Sequence, residues 1–245
     1  MRAACTFIGG ISDNKTPFDL GGRRGTRIPP AVAFALRANC GPRWLSGFLT
    51  MFMAFLLREV PFGQDGSYSE DGIIGRINSD LANELGNLAQ RSLSMVNKNL
   101  DARVPEPGAF SAEDSELLGV ADGLLDRVRA AFDEQAMHLG LEAIWLMLGA
   151  ANRYFSAQEP WVLRKSEAAS DQERFRTVLY VTLEAVRVAA LLVQPVMPTA
   201  AGRLLDLLGQ HADDRDFASL ATRLAPGTEL PAPVGVFPRY EPPAE

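Results

Sequence analysis

The sequence predicts an all-α fold, an antiparallel helical bundle, and three observations favour this class. Apolar residues recur at spacings of three and four in four long stretches of the chain. Capping residues, prolines and glycines stand where these stretches begin and end. The connections between them are modest in length, and no stretch indicates a sheet of any size. Long amphipathic helices joined in this way are typical of a helical bundle.

The end of each predicted helix has its own signal. Ser111 and Asp114 form a capping-box-like pair that begins the second helix. Pro160 ends the third helix, Pro195 breaks the fourth, and Gly209 ends the fifth. The predicted helices are Asp71–Lys98, Ser111 to about Phe132, about Leu141–Gln158, Asp171–Gln194 and the short Thr199–Leu208.

Composition divides the chain into four parts. Residues 1–50 are rich in Gly, Pro and Arg and show no sustained period, so we expect an irregular, poorly structured segment. Residues 51–70 are predicted to be a linker, residues 71–226 the helical bundle and residues 227–245 an extended, Pro-rich tail. The abrupt change of texture near Met51 suggests out-of-frame translation or a misplaced start codon upstream, which the neighbouring DNA sequence would test.

Charge and composition exclude several classes of function. The net charge of −6 argues against a broad phosphate-binding surface, so a nucleic-acid partner would have to be recognised through bases and a local patch. Cys5 and Cys40 do not indicate a disulfide scaffold or a zinc site, and His138 and His211 are isolated, so no metal is expected. The apolar run Leu45–Leu57 has about 13 residues, whereas a membrane span needs about 20.

No catalytic site stands out in the sequence. The glycines of the Gly21–Gly25 segment are not followed by the Lys-Ser/Thr pair of a phosphate-binding loop. No Ser-His-Asp or Cys-His set is recognisable, and the carboxylates are spread over predicted helix surfaces. We therefore expect no catalytic residue in this chain.

A polar ladder lies on the first predicted helix. Asn83, Asn87 and Arg91 are four residues apart, so in an α-helix they share one face and span about 12 Å. Asparagine is a poor helix former, and its amide offers a donor and an acceptor to a base edge, to which arginine adds a charged fork. On its own, however, the ladder is better explained as an ordinary solvated helix face.

A tryptophan stands at the corner after the third predicted helix. Pro160 ends that helix and presents Trp161, whose ring would be a platform for an unstacked base. Lys165 lies close by in sequence and is a candidate contact for a phosphate. On its own, Trp161 could equally close the end of the bundle. Trp145, among apolar residues in mid-helix, is predicted to be core.

These two features and their flanks resemble the C-terminal half of the methionyl-tRNA synthetase family, with the texture of its bacterial and mitochondrial members. The resemblance rests on five blocks in the same order, which together are more specific than any one of them. The blocks are FLLREVPFGQDG at 55–66, NELGNLAQR at 83–91, NRYF at 152–155 running on to Pro160-Trp161, QPVMP at 194–198, and FPR at 237–239.

In that family, which is one of the class I aminoacyl-tRNA synthetases, this half is an α-helical bundle that binds the anticodon of methionine tRNA. The resemblance therefore implies the same fold and the same partner, the anticodon stem-loop. Position by position, it assigns contact with the anticodon to Asn83, Asn87, Arg91, Pro160 and Trp161. The terminal Phe-Pro-Arg segment resembles a piece that, in the family, folds back toward the catalytic half.

The family's catalytic domain binds ATP and carries His-Ile-Gly-His and Lys-Met-Ser-Lys-Ser motifs, and this sequence contains neither motif. The resemblance thus implies a methionine–tRNA ligase whose chain here has no cofactor site and is inactive alone. A separate catalytic domain is a further candidate partner, and no membrane partner is expected. The implied location is cytoplasmic, or mitochondrial in a eukaryote.

Two other interpretations remain open at this point. A non-catalytic helical interaction module that kept the fold and lost its RNA affinity is slightly favoured by the net charge of −6. A membrane-associated protein would use the apolar run Leu45–Leu57, but the length of that run argues against it.

Overall fold

A computed structural model describes residues 55–59 and 70–239, without the side chain of Glu70. The predicted irregular segment, most of the predicted linker and most of the Leu45–Leu57 run lie outside the described residues. Residues 55–59 are helical. The helices that follow are α1 (Glu70–Arg76), a π-helix (Ile77–Gly86), α2 (Asn87–Asn99), α3 (Ala112–Asp122), α4 (Leu124–Asp133), α5 (Met137–Ala157), α6 (Pro160–Leu163), α7 (Ala169–Val193) and α8 (Pro198–Leu207), with 3₁₀ turns at Ala212–Asp214 and Phe217–Ala221.

The all-α prediction is confirmed, since the part of the chain that the structure describes contains helices and no strand. Helix α7 is the centre of the bundle and packs against α2, α3, α5, α6 and α8. Every residue from Thr177 to Val193 is buried, so burial extends well beyond the apolar residues at spacings of three and four that predicted this helix. A helix that five other helices surround buries all of its faces.

Three of the predicted helices differ in detail from those in the structure. The first helix is continuous but has π-helical hydrogen bonding over Ile77–Gly86. The second is divided into α3 and α4 at Gly123, where the low helix propensity of glycine lets the chain bend. Helix α5 begins at Met137, earlier than predicted. Pro160 follows the end of α5, as predicted, and is also the first residue of the short helix α6. Proline is well suited to a first helical position because that position needs no N–H donor.

The predicted capping pair is also part of a buried ionic network. Ser111 and Asp114 form a complete capping box at the start of α3. The buried Asp114 carboxylate also accepts hydrogen bonds from Tyr154 Oη at 2.5 Å on α5 and from Arg174 Nη1 at 2.5 Å and Nη2 at 2.9 Å on α7. Burial opposes ionisation of Asp114, but these donors outweigh it and hold its pKa below the ordinary value. One carboxylate therefore joins α3, α5 and α7.

A second buried pair fastens the C-terminal loop to α7. Glu184 and Arg187 are both fully enclosed and form a fork, with Arg187 Nη2 at 2.6 Å from Glu184 Oε1. Arg187 also donates to the carbonyls of Ser219 and Thr222, and Glu184 accepts from the backbone N–H of Leu224. The chain after α8 is therefore held against the central helix by charge-assisted hydrogen bonds.

We expect Asp114→Asn to lower the free energy of unfolding by about 3 kcal/mol at pH 7, because Arg174 loses a buried charged partner. The folded pKa of Asp114 is lowered, so its stabilisation is complete above the pKa of an unfolded aspartate, about 3.9, and is lost as the pH falls through the folded value. Urea denaturation from pH 7 towards pH 3 should show the difference between the two proteins shrinking.

Asp122→Asn is the matched control, because Asp122 ends the same helix and pairs with Arg223 at the surface. Its loss should be about 1 kcal/mol or less. Equal losses for the two variants would contradict the role given to the buried network.

Candidate nucleic-acid interface

The polar ladder lies partly on the π-helix. Asn83 is within that helix and Asn87 is the first residue of α2, and both are exposed, whereas Arg91 is half-buried. The backbone N–H of Asn87 donates to the carbonyl of Ala82, five residues back, as π-helical bonding requires. The span of about 12 Å from Asn83 to Arg91 was calculated for an ideal α-helix. It does not apply here, because the part of the ladder from Asn83 to Asn87 has the wider turn of a π-helix.

Arg91 joins the ladder to the tryptophan corner. Its guanidinium carbon lies 4.8 Å from the ring centroid of Phe155 and 5.5 Å from that of Trp161. The two rings are themselves 6.3 Å apart and inclined at 59°. A guanidinium within about 6 Å of an aromatic face is attracted to it. Two features that are far apart in the sequence are thus parts of one surface.

The corner is built on an unusual backbone conformation. Glu159 has a left-handed conformation, with φ of 43°, and Pro160 and Trp161 are the first residues of α6. The N–H of Val162 donates to the carbonyl of Glu159 at 2.8 Å, which closes the turn. Pro160 is buried, and Trp161 is half-buried and packs against the core. The Trp161 ring therefore both closes the bundle end and keeps part of its surface open to solvent.

The other predicted residues are placed as follows. Lys165 is exposed, two residues after α6 ends at Leu163. Trp145 is buried in the core, as predicted. Among the residues that the structure describes, no three His, Cys, Asp or Glu side chains lie close enough together to hold a metal ion. Within those same residues, no helix has both the length and the apolar character that crossing a membrane requires.

Two residues that sequence reasoning did not assign to the site support it from α5. Phe155 is fully buried and provides one of the two rings against Arg91. Asn152 donates from Nδ2 to the carbonyl of Glu84, on the π-helix, at 3.3 Å and to that of Leu148 at 3.1 Å. Both belong to the NRYF block, but only the fold shows that this block faces the ladder.

Two acidic residues, Asp80 and Glu84, lie on the π-helix beside the ladder, and their neighbours alter or compensate the charge of each. Glu84 lies next to Asn83 and is half-buried, and burial, with the nearby Asp80, raises the pKa of its carboxyl. Asp80 itself accepts from Arg58 Nε at 2.9 Å and Arg76 Nη1 at 3.3 Å. The Arg58 guanidinium lies 5.1 Å from the Trp145 ring centroid. These contacts fix the helical segment 55–59 against the π-helix.

The C-terminal tail, from residue 227 onward, packs against the π-helix. Thr228 and Leu230 pair with the backbone of Val104 and Ala102 through hydrogen bonds of 2.7–2.9 Å. Phe237 is then buried against Gly86, the last residue of the π-helix. A Cβ at position 86 would lie 2.8 Å from the carbonyl of Leu81 and 3.4 Å from the Phe237 side chain, so this close approach requires glycine. The sequence indicated an extended tail but not this contact.

Comparison with protein families gives two matches that follow one another along the chain. The family described as the anticodon binding domain of methionyl tRNA ligase matches residues 104–242. The family described as tRNA synthetases class I (M) matches residues 50–93. The first match alone covers more than half of the 245 residues. The chain belongs to the methionyl-tRNA ligase family.

Curated relatives support this membership. The chain is 72% identical over 189 residues to the methionine–tRNA ligase of Mycobacterium tuberculosis, and 57% identical over 187 residues to that of Brucella melitensis. These alignments cover 77% and 76% of this chain and 36% of each relative. The chain therefore spans about a third of the length of the methionine–tRNA ligases it matches.

Solved structures from this family have the same fold. The apo form of Mycobacterium tuberculosis methionyl-tRNA synthetase superposes with a TM-score of 0.79 at 70% identity, covering 79% of this chain and 39% of that one. Its complex with methionyl-adenylate gives 0.78 at 68% identity, covering 81% and 39%. Asn83, Asn87 and Arg91 fall within the class I match and Trp161 within the anticodon-binding match. The candidate interface thus lies across both family segments.

Proposed function

We propose that this chain recognises the anticodon loop of methionine tRNA through Asn83, Asn87, Arg91, Pro160 and Trp161. The observation that carries the proposal is the position of Arg91, whose guanidinium lies within 5.5 Å of the ring centroids of both Phe155 and Trp161. Arg91 on α2 and Trp161 on α6 thereby form one surface that neither helix could present alone. Membership of a family whose matching segment is described as anticodon-binding supports this choice.

Each residue type has a distinct task in such a site. The open part of the Trp161 ring offers a face for an unstacked base, and Pro160 fixes the corner that presents it. The exposed amides of Asn83 and Asn87 can pair with base edges, and Arg91, which contacts both rings, supplies a charged fork. RNA loops are read by this combination of stacking and base-edge hydrogen bonds.

The charge distribution is consistent with recognition through bases. The whole chain carries −6, so attraction to phosphates over the whole surface cannot supply the affinity. Near the corner, however, Arg153, Arg164 and Lys165 are exposed, and the described residues show no salt bridge for any of them. We assign Lys165 to a phosphate of the loop. Binding should therefore depend on salt only weakly, with few phosphate contacts.

The proposal is tested with an anticodon stem-loop of methionine tRNA and a version with a replaced anticodon. Trp161→Ala should weaken binding of the first about 10- to 100-fold, because one stacked base is worth roughly 1–3 kcal/mol. Val162→Ala is the matched control, since Val162 is the next residue of α6 and 52% exposed. It should bind as the unmodified chain does.

The same titration separates this proposal from a helical interaction module without RNA affinity. A module of that kind would bind the two stem-loops equally weakly, and Trp161→Ala would change nothing. Equal binding of both stem-loops by the unmodified chain would rule out anticodon recognition.

We also propose that methionine activation by ATP depends on residues outside this chain. The chain itself would supply tRNA binding to a methionine–tRNA ligase. That ligase would act in the cytoplasm, or in a mitochondrion if the source is eukaryotic. The support is the absence of both nucleotide-site motifs from the 245 residues and the restriction of the class I match to residues 50–93. Purified chain that binds the stem-loop should show no methionine-dependent exchange of pyrophosphate into ATP. Measurable exchange would refute this part.

A further inference from the structure

The loop that carries Trp161 is held at both ends by the first turns of α7. At one end, Gln172 Nε2 donates to the carbonyl of Leu163, the last residue of α6, at 3.3 Å and to that of Ser166, beyond α6, at 2.5 Å. At the other end, Arg174 Nε donates to Gln158 Oε1 at 3.1 Å, just before the left-handed Glu159. The two side chains are two residues apart on α7, and Trp161 lies between their attachment points.

The Arg174 side chain is itself held by two further hydrogen bonds. Both of its terminal nitrogens are bound by the buried Asp114 carboxylate, at 2.5 Å and 2.9 Å. Bidentate pairs of this type fix the plane of the guanidinium, so Nε can point in only one direction. Arg174 thus connects the junction of α3, α5 and α7 to Gln158, the C-cap residue of α5.

The backbone of this loop needs such support. A non-glycine residue with φ of 43°, as at Glu159, is strained and persists only when its surroundings determine it. Helix α6 has only four residues, too few to be stable without tertiary contacts. Without the hydrogen bonds from α7, the corner would sample other conformations, and the Trp161 ring would leave the Arg91 guanidinium.

We propose that Gln172 and Arg174 are positioning residues that set the Trp161 ring for stacking on an anticodon base. This inference rests on the function proposed above for Trp161. Neither residue is assigned a contact with RNA, because both act through the backbone and side chains of residues 158–166. Their effect is to order the corner before binding, so that the RNA does not have to order it.

The experiment uses the full chain labelled with 5-fluorotryptophan and observed by ¹⁹F NMR. The chain has three tryptophans, so Trp161→Phe and Trp44→Phe assign two of the resonances, and the third, that of the buried Trp145, reports on the core. The test variants are Gln172→Leu, which removes the donor to the loop, and Gln158→Leu, which removes the acceptor but leaves the Arg174–Asp114 pair in place. Both sites are half-buried, so the variants should fold.

Gln194→Leu is the matched control. Gln194 also belongs to the α7 region and donates from Nε2 to a loop carbonyl, that of Arg215, at 2.8 Å, but at the opposite end of the helix. The Gln194→Leu variant loses the same kind of hydrogen bond, so its free energy of unfolding should fall by a comparable amount. It should leave both the Trp161 resonance and stem-loop affinity unchanged.

In Gln172→Leu and Gln158→Leu we expect the Trp161 resonance to shift or broaden while the Trp145 resonance stays in place. Stem-loop affinity should fall about threefold to tenfold in each, the effect of losing one or two loop-ordering hydrogen bonds. An unchanged Trp161 resonance, or a loss of affinity matched by Gln194→Leu, would overturn the positioning role. If the resonance moves while Trp161→Ala itself binds RNA normally, the function proposed for Trp161 fails instead.

Discussion

The candidate interface depends on one interaction, the contact of the Arg91 guanidinium with the rings of both Phe155 and Trp161. A charged fork on an exposed helix face would otherwise move freely, and a partly exposed tryptophan would have no fixed relation to it. Attraction between a cation and two aromatic faces, together with their packing, fixes both at once. The fold must therefore bring α2 and the corner between α5 and α6 close enough for Arg91 to contact both rings.

The central helix α7 satisfies that requirement. It packs against α2, α5 and α6, which carry Arg91, Phe155 and Trp161, so the relative position of the three side chains is set by the core. Polar contacts then refine the surface: Asp114 links α7 to α3 and α5, and Asn152 links α5 to the π-helix. The tail contributes by burying Phe237 against Gly86. The contacts that stabilise the bundle therefore also hold the residues of the candidate interface in place.

Much of this arrangement could be predicted from local pattern. Apolar spacing identified the helices, the Ser111–Asp114 pair identified a helix start, and the position of Trp145 in its helix indicated core. The π-helix could not be predicted, because apolar spacings of three and four indicate an ordinary α-helix. The break at Gly123 did have a local signal, the low helix propensity of glycine, but the apolar spacing continues across it. The role of Phe155 could not be predicted either. In the sequence it is one more apolar residue, and it becomes part of the site only because the fold places it against Arg91 of α2.

The most direct test of the account is a double-mutant cycle on stem-loop binding with Arg91→Leu, Trp161→Ala and the double variant. If the two side chains form one site, the double variant should lose less affinity than the sum of the single losses, with a coupling energy of about 1 kcal/mol or more. Independent contacts would give losses that add to within about 0.5 kcal/mol. Additive losses would contradict the claim that Arg91 and Trp161 act together.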